Sequence, residues 1–210
     1  MTALQKLFQH AFKAMIIIST ISFSGLLWAE AEQEPAIQAP VNELHSTLLQ
    51  IMENAGTESF QDRYDLIEEI VVRHFDSPLI AKVILSRYWK TLDKQSQTNF
   101  IHLFNRLTIS TYVDRFDSFS GETFKNIAIE QMKKNRYMVK TEFVLPDDDP
   151  VSFNYIVQNN GDTWKIISVI ANGINDLSLK RADYSAIIKE KGFDALIASL
   201  KVKISDLQAK

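Results

Sequence analysis

The chain has 210 residues, of which 46% are hydrophobic and 23% are charged, and this composition is typical of a globular protein with one sizeable core. Its formal charge of −3 and its isoelectric point near 5.8 lack the basic excess that a nucleic-acid-binding surface requires. The sequence contains no cysteine, which excludes disulfide bonds, thiol catalysis and thiolate metal sites.

The first 31 residues differ in character from the rest of the chain. Lys6 and Lys13 precede an apolar run over residues 14–28, and Ala29 and Ala31 supply the small side chains that a signal peptidase reads. This pattern predicts a signal peptide cleaved near Ala31. A transmembrane anchor is the alternative, although the run is shorter than the ~20 apolar residues that span a bilayer. Because a lipoprotein anchor requires cysteine, we expect an exported, unanchored protein of the periplasm.

Helical spacing of apolar residues covers most of the remaining chain. Residues 32–40 are polar, contain proline and are predicted to form a flexible leader, so that residues 41–210 form a single domain. Apolar residues at steps of three and four predict helices over residues 41–55, 58–74, 76–89, 95–116, 176–191 and 193–207. Asp76 and Asp93 are predicted N-caps, and Gly56 and Gly192 mark helix ends.

Four stretches alternate in the manner of strands, over residues 124–131, 135–145, 151–157 and 163–171. In the second stretch one face is apolar and is predicted to be buried; it contains Tyr137, Val139, Thr141, Phe143 and Leu145. An apolar face of a sheet must be shielded from water, and the rest of the chain supplies amphipathic helices that can cover it. The sequence therefore predicts an α+β fold, with a curved antiparallel sheet of about four strands covered by helices.

Motifs that indicate catalysis or metal binding are absent from the sequence. The four histidines lie on separate predicted elements without paired ligand spacing, and Asp147, Asp148 and Asp149 lack the glycine and distal glutamate of a calcium loop. The sequence has no nucleophile elbow, glycine-rich phosphate loop or dinucleotide fingerprint. We therefore predict no enzyme activity, no metal site and no cofactor.

Three short motifs, taken together and in order, resemble one protein family. They are Arg87-Tyr88-Trp89 late in the third helix, Trp164-Lys165-Ile166 in the last strand, and Gly173-Ile174-Asn175 followed by Tyr184, Ile187-Ile188, Gly192 and Leu196. Residues 41–200 are similar in these features to the MlaC family, also called the toluene-tolerance auxiliary proteins. The chain departs from the family where members tend to carry glycine at Ser86 and Ala195, serine at Asn175 and an acidic residue near Ser168.

The resemblance implies a soluble periplasmic phospholipid carrier with an NTF2-like architecture, which holds acyl chains between the curved sheet and the helices. The implied partners are the phospholipid cargo, an inner-membrane ABC transporter with an MCE-domain ring, and an outer-membrane lipoprotein complex. The implied role is the maintenance of outer-membrane lipid asymmetry by an Mla-type system. We expect the carrier to be a monomer.

On this basis we predict two sets of site residues. The predicted lipid-binding wall consists of apolar and aromatic side chains from the sheet and its covering helices: Leu85, Tyr88, Phe104, Leu107, Ile127, Val139, Phe143, Phe153, Tyr155, Val157, Trp164 and Ile166. The predicted partner-docking residues are the cations Arg115, Lys180 and Arg181.

Two alternatives remain open from the sequence. A hopanoid-associated branch of the same family is similar over residues 177–184, so the cargo could be another lipid. An enzyme with an NTF2-like pocket, such as a small isomerase or dehydratase, is the alternative from a different class. Such an enzyme needs an acid or base at its pocket, and the inward sheet positions offer only Tyr137, Tyr155 and Thr141.

Overall fold

The computed structural model describes residues 24–161 and 163–209, and its elements follow the predicted order. The second of its two compact units, Ile37–Lys210, contains the sheet and the core described below. Most of the predicted signal peptide, residues 1–31, lies outside the described residues. Among the helices that are described, none is both long enough and apolar enough to cross a membrane.

Helix α1 runs from Ser24 to Glu53 and begins well before the predicted start at residue 41. Ile37 lies one turn before Val41, is 1% exposed, and extends the buried stripe that continues through Leu44 and Leu48. Burial of such a side chain contributes about 2 kcal/mol, which favours continuation of the helix through this turn. Residues 32–40 are part of this helix, and their flexibility as a leader stays a prediction.

Helices α2 (Phe60–His74), α3 (Ser77–Leu85) and α4 (Lys94–Arg115) begin at side-chain caps. The carboxylate of Asp76 accepts a hydrogen bond from the backbone N–H of Leu79 at 3.0 Å, and that of Asp93 accepts one from Ser96 at 2.7 Å. These bonds satisfy backbone donors that the first turn of a helix leaves without partners. Both predicted N-caps are confirmed.

Helix α3 ends at Leu85, four residues before the predicted end. Ser86 has a φ of +51° and a ψ of −120°, which breaks the helical path. Residues Ser86–Thr91 then form a 3-10 helix, so Tyr88 and Trp89 lie on a 3-10 turn instead of an α-helix. Glycine adopts this backbone conformation readily. The family that this sequence resembles tends to carry glycine at position 86.

The sheet contains five antiparallel strands in the order β1-β2-β3-β4-β5, within the residues that the structure describes. The strands are β1 (Thr123–Lys133), β2 (Arg136–Val144), β3 (Val151–Asn159), β4 (Trp164–Ala171) and the two-residue β5 (Ile174–Asn175). In β2, Val139, Thr141 and Phe143 are buried, whereas the residues between them are half-buried. The predicted orientation of this strand is confirmed, and so is the α+β fold class.

Two irregularities in the pairing change which side chains face the helices. Asn126 pairs with Thr141 and Ala128 with Lys140, so Ile127 is an extra residue in β1. In the same way Ile167 is an extra residue in β4, between the pairs that Ile166 and Ser168 form with β3. A bulge of this kind interrupts strict alternation, and Ile127 is 54% exposed as a result.

The chain closes with helices α5 (Asp176–Lys191) and α6 (Phe193–Gln208), which are separated by Gly192 at a φ of +86°. The Asn175 side chain caps α5 by accepting a hydrogen bond from the backbone N–H of Ser178 at 3.1 Å. Since Asn175 also belongs to β5, helix α5 starts directly at the edge of the sheet. The start of α5 at this edge places the helix beside the candidate functional site.

Candidate functional site

A cavity of about 800 Å³ lies between the sheet and helices α4, α5 and α6. Its sheet side is formed by Phe153 of β3 and by Ser168, Val169 and Ala171 of β4. Its volume falls within the range of roughly 300–1,000 Å³ that is typical of sites for small molecules. The cavity is therefore large enough for an organic ligand.

The helix side of the cavity is mostly apolar and is formed by one stripe of each covering helix: Phe104, Leu107, Thr108, Thr111 and Tyr112 of α4, Leu177, Leu179 and Tyr184 of α5, and Leu207 of α6. Residues three and four apart share a helix face, so the α4 stripe follows from its sequence spacing. Ile174 of β5 also lines the cavity and is 57% exposed. An apolar side chain so exposed shows that the cavity opens to solvent near β5.

The charged lining residues come from helices α4, α5 and α6 and form a set that we call the mouth: Asp114 and Arg115 of α4, Asp176, Lys180 and Asp183 of α5, and Lys203 and Asp206 of α6. All seven side chains are half-buried or exposed. Lys180 forms an ion pair with Asp176. The cavity thus combines an apolar interior with a charged rim.

Two tyrosines, Tyr112 and Tyr184, line the cavity. Burial raises the pKa of Tyr112 and of Tyr184, and the nearby Asp176 carboxylate raises both pKa values further. Both hydroxyls therefore stay protonated and uncharged at neutral pH. Ser168 is 4% exposed, and its hydroxyl has no hydrogen-bond partner among the described residues. These three side chains therefore place no charge in the interior.

Metal binding finds no support in the described part of the chain, because no group of three or more histidine, aspartate or glutamate side chains there could hold a metal ion. His74 lies 2.8 Å from a single carboxylate, that of Glu43. His45 lies against the rings of Phe124 and Tyr155.

The structure brings three of the predicted lipid-binding residues to the cavity, namely Phe104, Leu107 and Phe153. Six others lie in the core and do not line the cavity: Leu85, Val139, Phe143, Tyr155, Val157 and Ile166. Tyr88 and Trp164 are half-buried outside the cavity, and Ile127 is exposed at its bulge.

Five of these six core residues belong to the sheet, and other elements already pack against the part of the sheet that contains them. His45 of α1 lies 3.0 Å from the Tyr155 hydroxyl, so α1 covers this part of β3. The backbone N–H of Asp76, between α2 and α3, donates a hydrogen bond to the Ile166 carbonyl at 3.0 Å, so this junction pairs with the edge of β4. The cavity is left at the other end of the face, around Phe153.

Sequence reasoning missed the contribution of α5 and α6 to the wall. Leu177 and Tyr184 lie seven residues apart and share a helix face, which is a signal that the sequence contains. That spacing does not show whether the face meets the core or a cavity. Thr108 and Thr111 carry hydroxyl groups, so an apolar pattern does not predict them as part of the wall.

The predicted docking residues lie at or beside the mouth. Arg115 and Lys180 line the cavity, and the Arg181 guanidinium donates a hydrogen bond to the Ser86 hydroxyl at 3.1 Å. Arg115 and Arg181 are exposed, so both are accessible to a partner.

Comparison with known proteins connects this architecture to one family. The solved structure of a phospholipid-binding protein from Ralstonia solanacearum, in complex with a phospholipid, is similar to the structure of this chain. The TM-score is 0.72 and the sequence identity is 18%. The similarity covers 84% of this chain and 98% of that chain, and at this identity it shows a shared fold. The model of the MlaC protein family matches residues 42–202. This match spans most of the sequence and confirms the resemblance: the chain belongs to the MlaC family.

Proposed function

We propose that the protein is a phospholipid carrier that holds acyl chains in the cavity beneath α4, α5 and α6. The observation that carries the proposal is the combination of an apolar interior of about 800 Å³ with a charged mouth. An amphiphile satisfies both parts, since its chains fill the interior and its polar group remains at the rim. The phospholipid in the Ralstonia relative supports this assignment.

The cavity has room for most of the acyl part of a lipid that has two chains. At roughly 30 Å³ per water-sized group, 800 Å³ holds on the order of 25 such groups. Two acyl chains bring roughly 30 methylenes, and at ~0.8 kcal/mol each their removal from water is worth on the order of 20 kcal/mol. Release of lipid into water is therefore very slow, and the protein should purify in its loaded form.

Filling the cavity with a tryptophan tests the carrier proposal. Thr108 lines the cavity, whereas Asn99 is exposed on the same helix and lies outside the cavity. We expect Thr108→Trp to fold but to carry only a small fraction of the wild-type lipid, because the indole occupies the volume of an acyl chain. Asn99→Trp should carry lipid at the wild-type level. The measurement is phospholipid phosphorus per mole of folded protein, with mass spectrometry of the extracted lipid.

Two outcomes of that experiment would count against the proposed binding of lipid in the cavity. Wild-type protein isolated from its own periplasm without lipid would contradict the proposal directly. Undiminished lipid in Thr108→Trp would show that lipid binds elsewhere. Extraction of a hopanoid in place of a phospholipid would keep the carrier and change its cargo.

We further propose that the carrier works in the periplasm within an Mla-type ABC transport system. In this role it shuttles phospholipid between an outer-membrane lipoprotein complex and an inner-membrane transporter with an MCE-domain ring, and so maintains outer-membrane lipid asymmetry. Support comes from membership of the MlaC family and from the signal-like pattern of the first 31 residues. The carrier acts as a monomer, without cofactor and without catalysis, and the lipid is its cargo.

Docking on these complexes is proposed to use the surface around Arg115, Lys180 and Arg181. This surface surrounds the mouth, so a partner bound there meets the lipid directly. A carrier must also be released, and exposed charges at an interface chiefly raise the association rate without making the complex permanent.

Charge reversal at Arg181 tests the docking surface. We expect Arg181→Glu to weaken binding to the purified MCE-domain ring by about tenfold at low salt, and by less at high salt, because ions screen exposed charges. Lys189→Glu, an exposed position on the same helix but outside the cavity, is the matched control. Binding is measured by surface plasmon resonance, and lipid content and melting temperature should match the wild type. Equal effects of both variants would indicate a general charge effect in place of a docking site.

A further inference from the structure

The mouth presents the same arrangement of charge on two of its helices. On α5, Lys180 is followed three residues later by Asp183, and on α6, Lys203 is followed three residues later by Asp206. Residues with this spacing are neighbours on a helix surface, about 5–6 Å apart at their Cβ atoms. All four side chains line the cavity. Each helix therefore offers a cation and a carboxylate about one turn apart at the opening.

The mouth as a whole is slightly acidic. Its four carboxylates, Asp114, Asp176, Asp183 and Asp206, exceed its three cations, Arg115, Lys180 and Lys203, by one unit of negative charge. This difference holds whichever ion pairs form within the set, such as the one between Lys180 and Asp176.

The carboxylates of α5 act on the cavity and do not only face bulk solvent. Asp176 raises the pKa of both Tyr112 and Tyr184, and Asp183 raises that of Tyr184, in each case after the larger effect of burial. Because both tyrosines line the cavity, these two carboxylates lie close to the boundary between its apolar interior and its opening. A headgroup whose acyl chains fill the interior must sit at this boundary.

We infer that the mouth selects phospholipids whose headgroup is zwitterionic, with a phosphate and an ammonium group, over phospholipids whose headgroup is anionic. This inference rests on the proposed function and names the class of cargo. The phosphate meets Lys203 and Arg115, while the ammonium group meets Asp183 and Asp206. An anionic headgroup gains the same contacts with the cations, but it offers no ammonium group to Asp183 and Asp206.

The expected selectivity is modest because the mouth is open to water. One unit charge at contact distance in a water-like dielectric corresponds to a preference of about fivefold. The preference should be strongest near 0.01 M salt and largely lost near 1 M salt, where the Debye length falls to about 3 Å.

Competition between two headgroups tests the inference. Delipidated wild-type protein is incubated with vesicles that contain equal amounts of phosphatidylethanolamine and phosphatidylglycerol with identical acyl chains, and the bound lipids are quantified by mass spectrometry. Wild type should be enriched about fivefold in phosphatidylethanolamine. The double variant Asp183→Asn and Asp206→Asn should lose or invert this enrichment, whereas Lys203→Gln should increase it. Opposite shifts of this kind would not arise from a general loss of stability.

The matched control is the double variant Asp147→Asn and Asp149→Asn. These aspartates are exposed between β2 and β3 and lie outside the cavity, and the variant changes the net charge by the same amount. It should keep the wild-type preference. The inference would be overturned if wild type took up the two lipids in the proportions of the vesicles, or if the mouth variants kept the wild-type lipid ratio. Either result would leave the carrier proposal unaffected. Uptake of neither lipid by wild type would overturn the carrier proposal itself, and the inference with it.

Discussion

Val157→Glu is expected to unfold the protein, whereas Phe153→Glu, on the same face of the same strand, is expected to leave it folded and without lipid. Val157 is 0% exposed and does not line the cavity, so a carboxylate there would be buried without a partner. Such burial costs several kcal/mol, which is a large share of the stability of a typical domain.

Phe153 differs from Val157 because it lines the cavity. A carboxylate at this position can be reached by water when the cavity is empty, but it would have to be desolvated against an acyl chain when lipid enters. The ring also contacts Phe124 and Phe143, with centroids 6.3 Å away in each case, so its loss lowers stability to a smaller extent. The main effect of Phe153→Glu is therefore expected on lipid content.

Urea denaturation and lipid phosphorus, measured together, distinguish these two effects. The control is Asn99→Glu, an exposed helix position outside the cavity, which should match the wild type in both measurements. Wild-type stability combined with loss of lipid in Val157→Glu would show that Val157 meets the ligand. The cavity would then extend along the sheet as far as the sequence analysis predicts.

The alternation of β2 allowed its buried face to be predicted, because the period of two is a property of the strand backbone itself. The caps at Asp76 and Asp93 could be predicted for a similar reason, since each depends on residues within one turn. The bulge at Ile127 could not, because it depends on how β1 pairs with a strand that follows later in the chain. The end of α3 at Ser86 likewise depends on one unusual backbone conformation.

The location of the site was less predictable than the fold. Val139, Tyr155 and Phe153 share one face of the sheet, and their sequence pattern does not distinguish them. Whether such a residue meets the core or the cavity depends on which helix covers it, and α1 reaches Tyr155 through His45 but leaves Phe153 open. That distinction requires the tertiary arrangement of helices that are distant in sequence.

Acidification is expected to destabilise the fold through His45, which connects α1 to the sheet. The imidazole Nε2 lies 3.0 Å from the Tyr155 hydroxyl, and the ring stacks on Phe124 with centroids 3.8 Å apart. Burial lowers the pKa of His45 to about 3, so the ring is neutral in the folded protein at neutral pH. In the unfolded chain the same residue has a pKa of about 6.5.

Because the pKa is lower in the folded state, protonation favours the unfolded chain. The contribution of neutral His45 is complete above about pH 6.5 and is lost progressively as the pH falls from there toward 3. At pH 4 the loss from this one residue is about 3 kcal/mol, since each unit of pKa difference corresponds to ~1.4 kcal/mol. Between pH 7 and pH 4, we therefore expect the free energy of unfolding to fall by about 3 kcal/mol more for wild type than for His45→Gln.

The comparison requires urea denaturation of delipidated wild type, His45→Gln and His102→Gln at several pH values. Glutamine retains hydrogen-bonding groups for Tyr155 but does not titrate, so His45→Gln should be less stable than wild type at pH 7 and should lose less stability on acidification. His102 is exposed on α4, and its replacement by glutamine should leave the wild-type pH dependence in place. Carboxylates contribute equally to all three proteins, and their effect cancels in the difference. Parallel pH profiles for wild type and His45→Gln would show that His45 does not link acidification to unfolding.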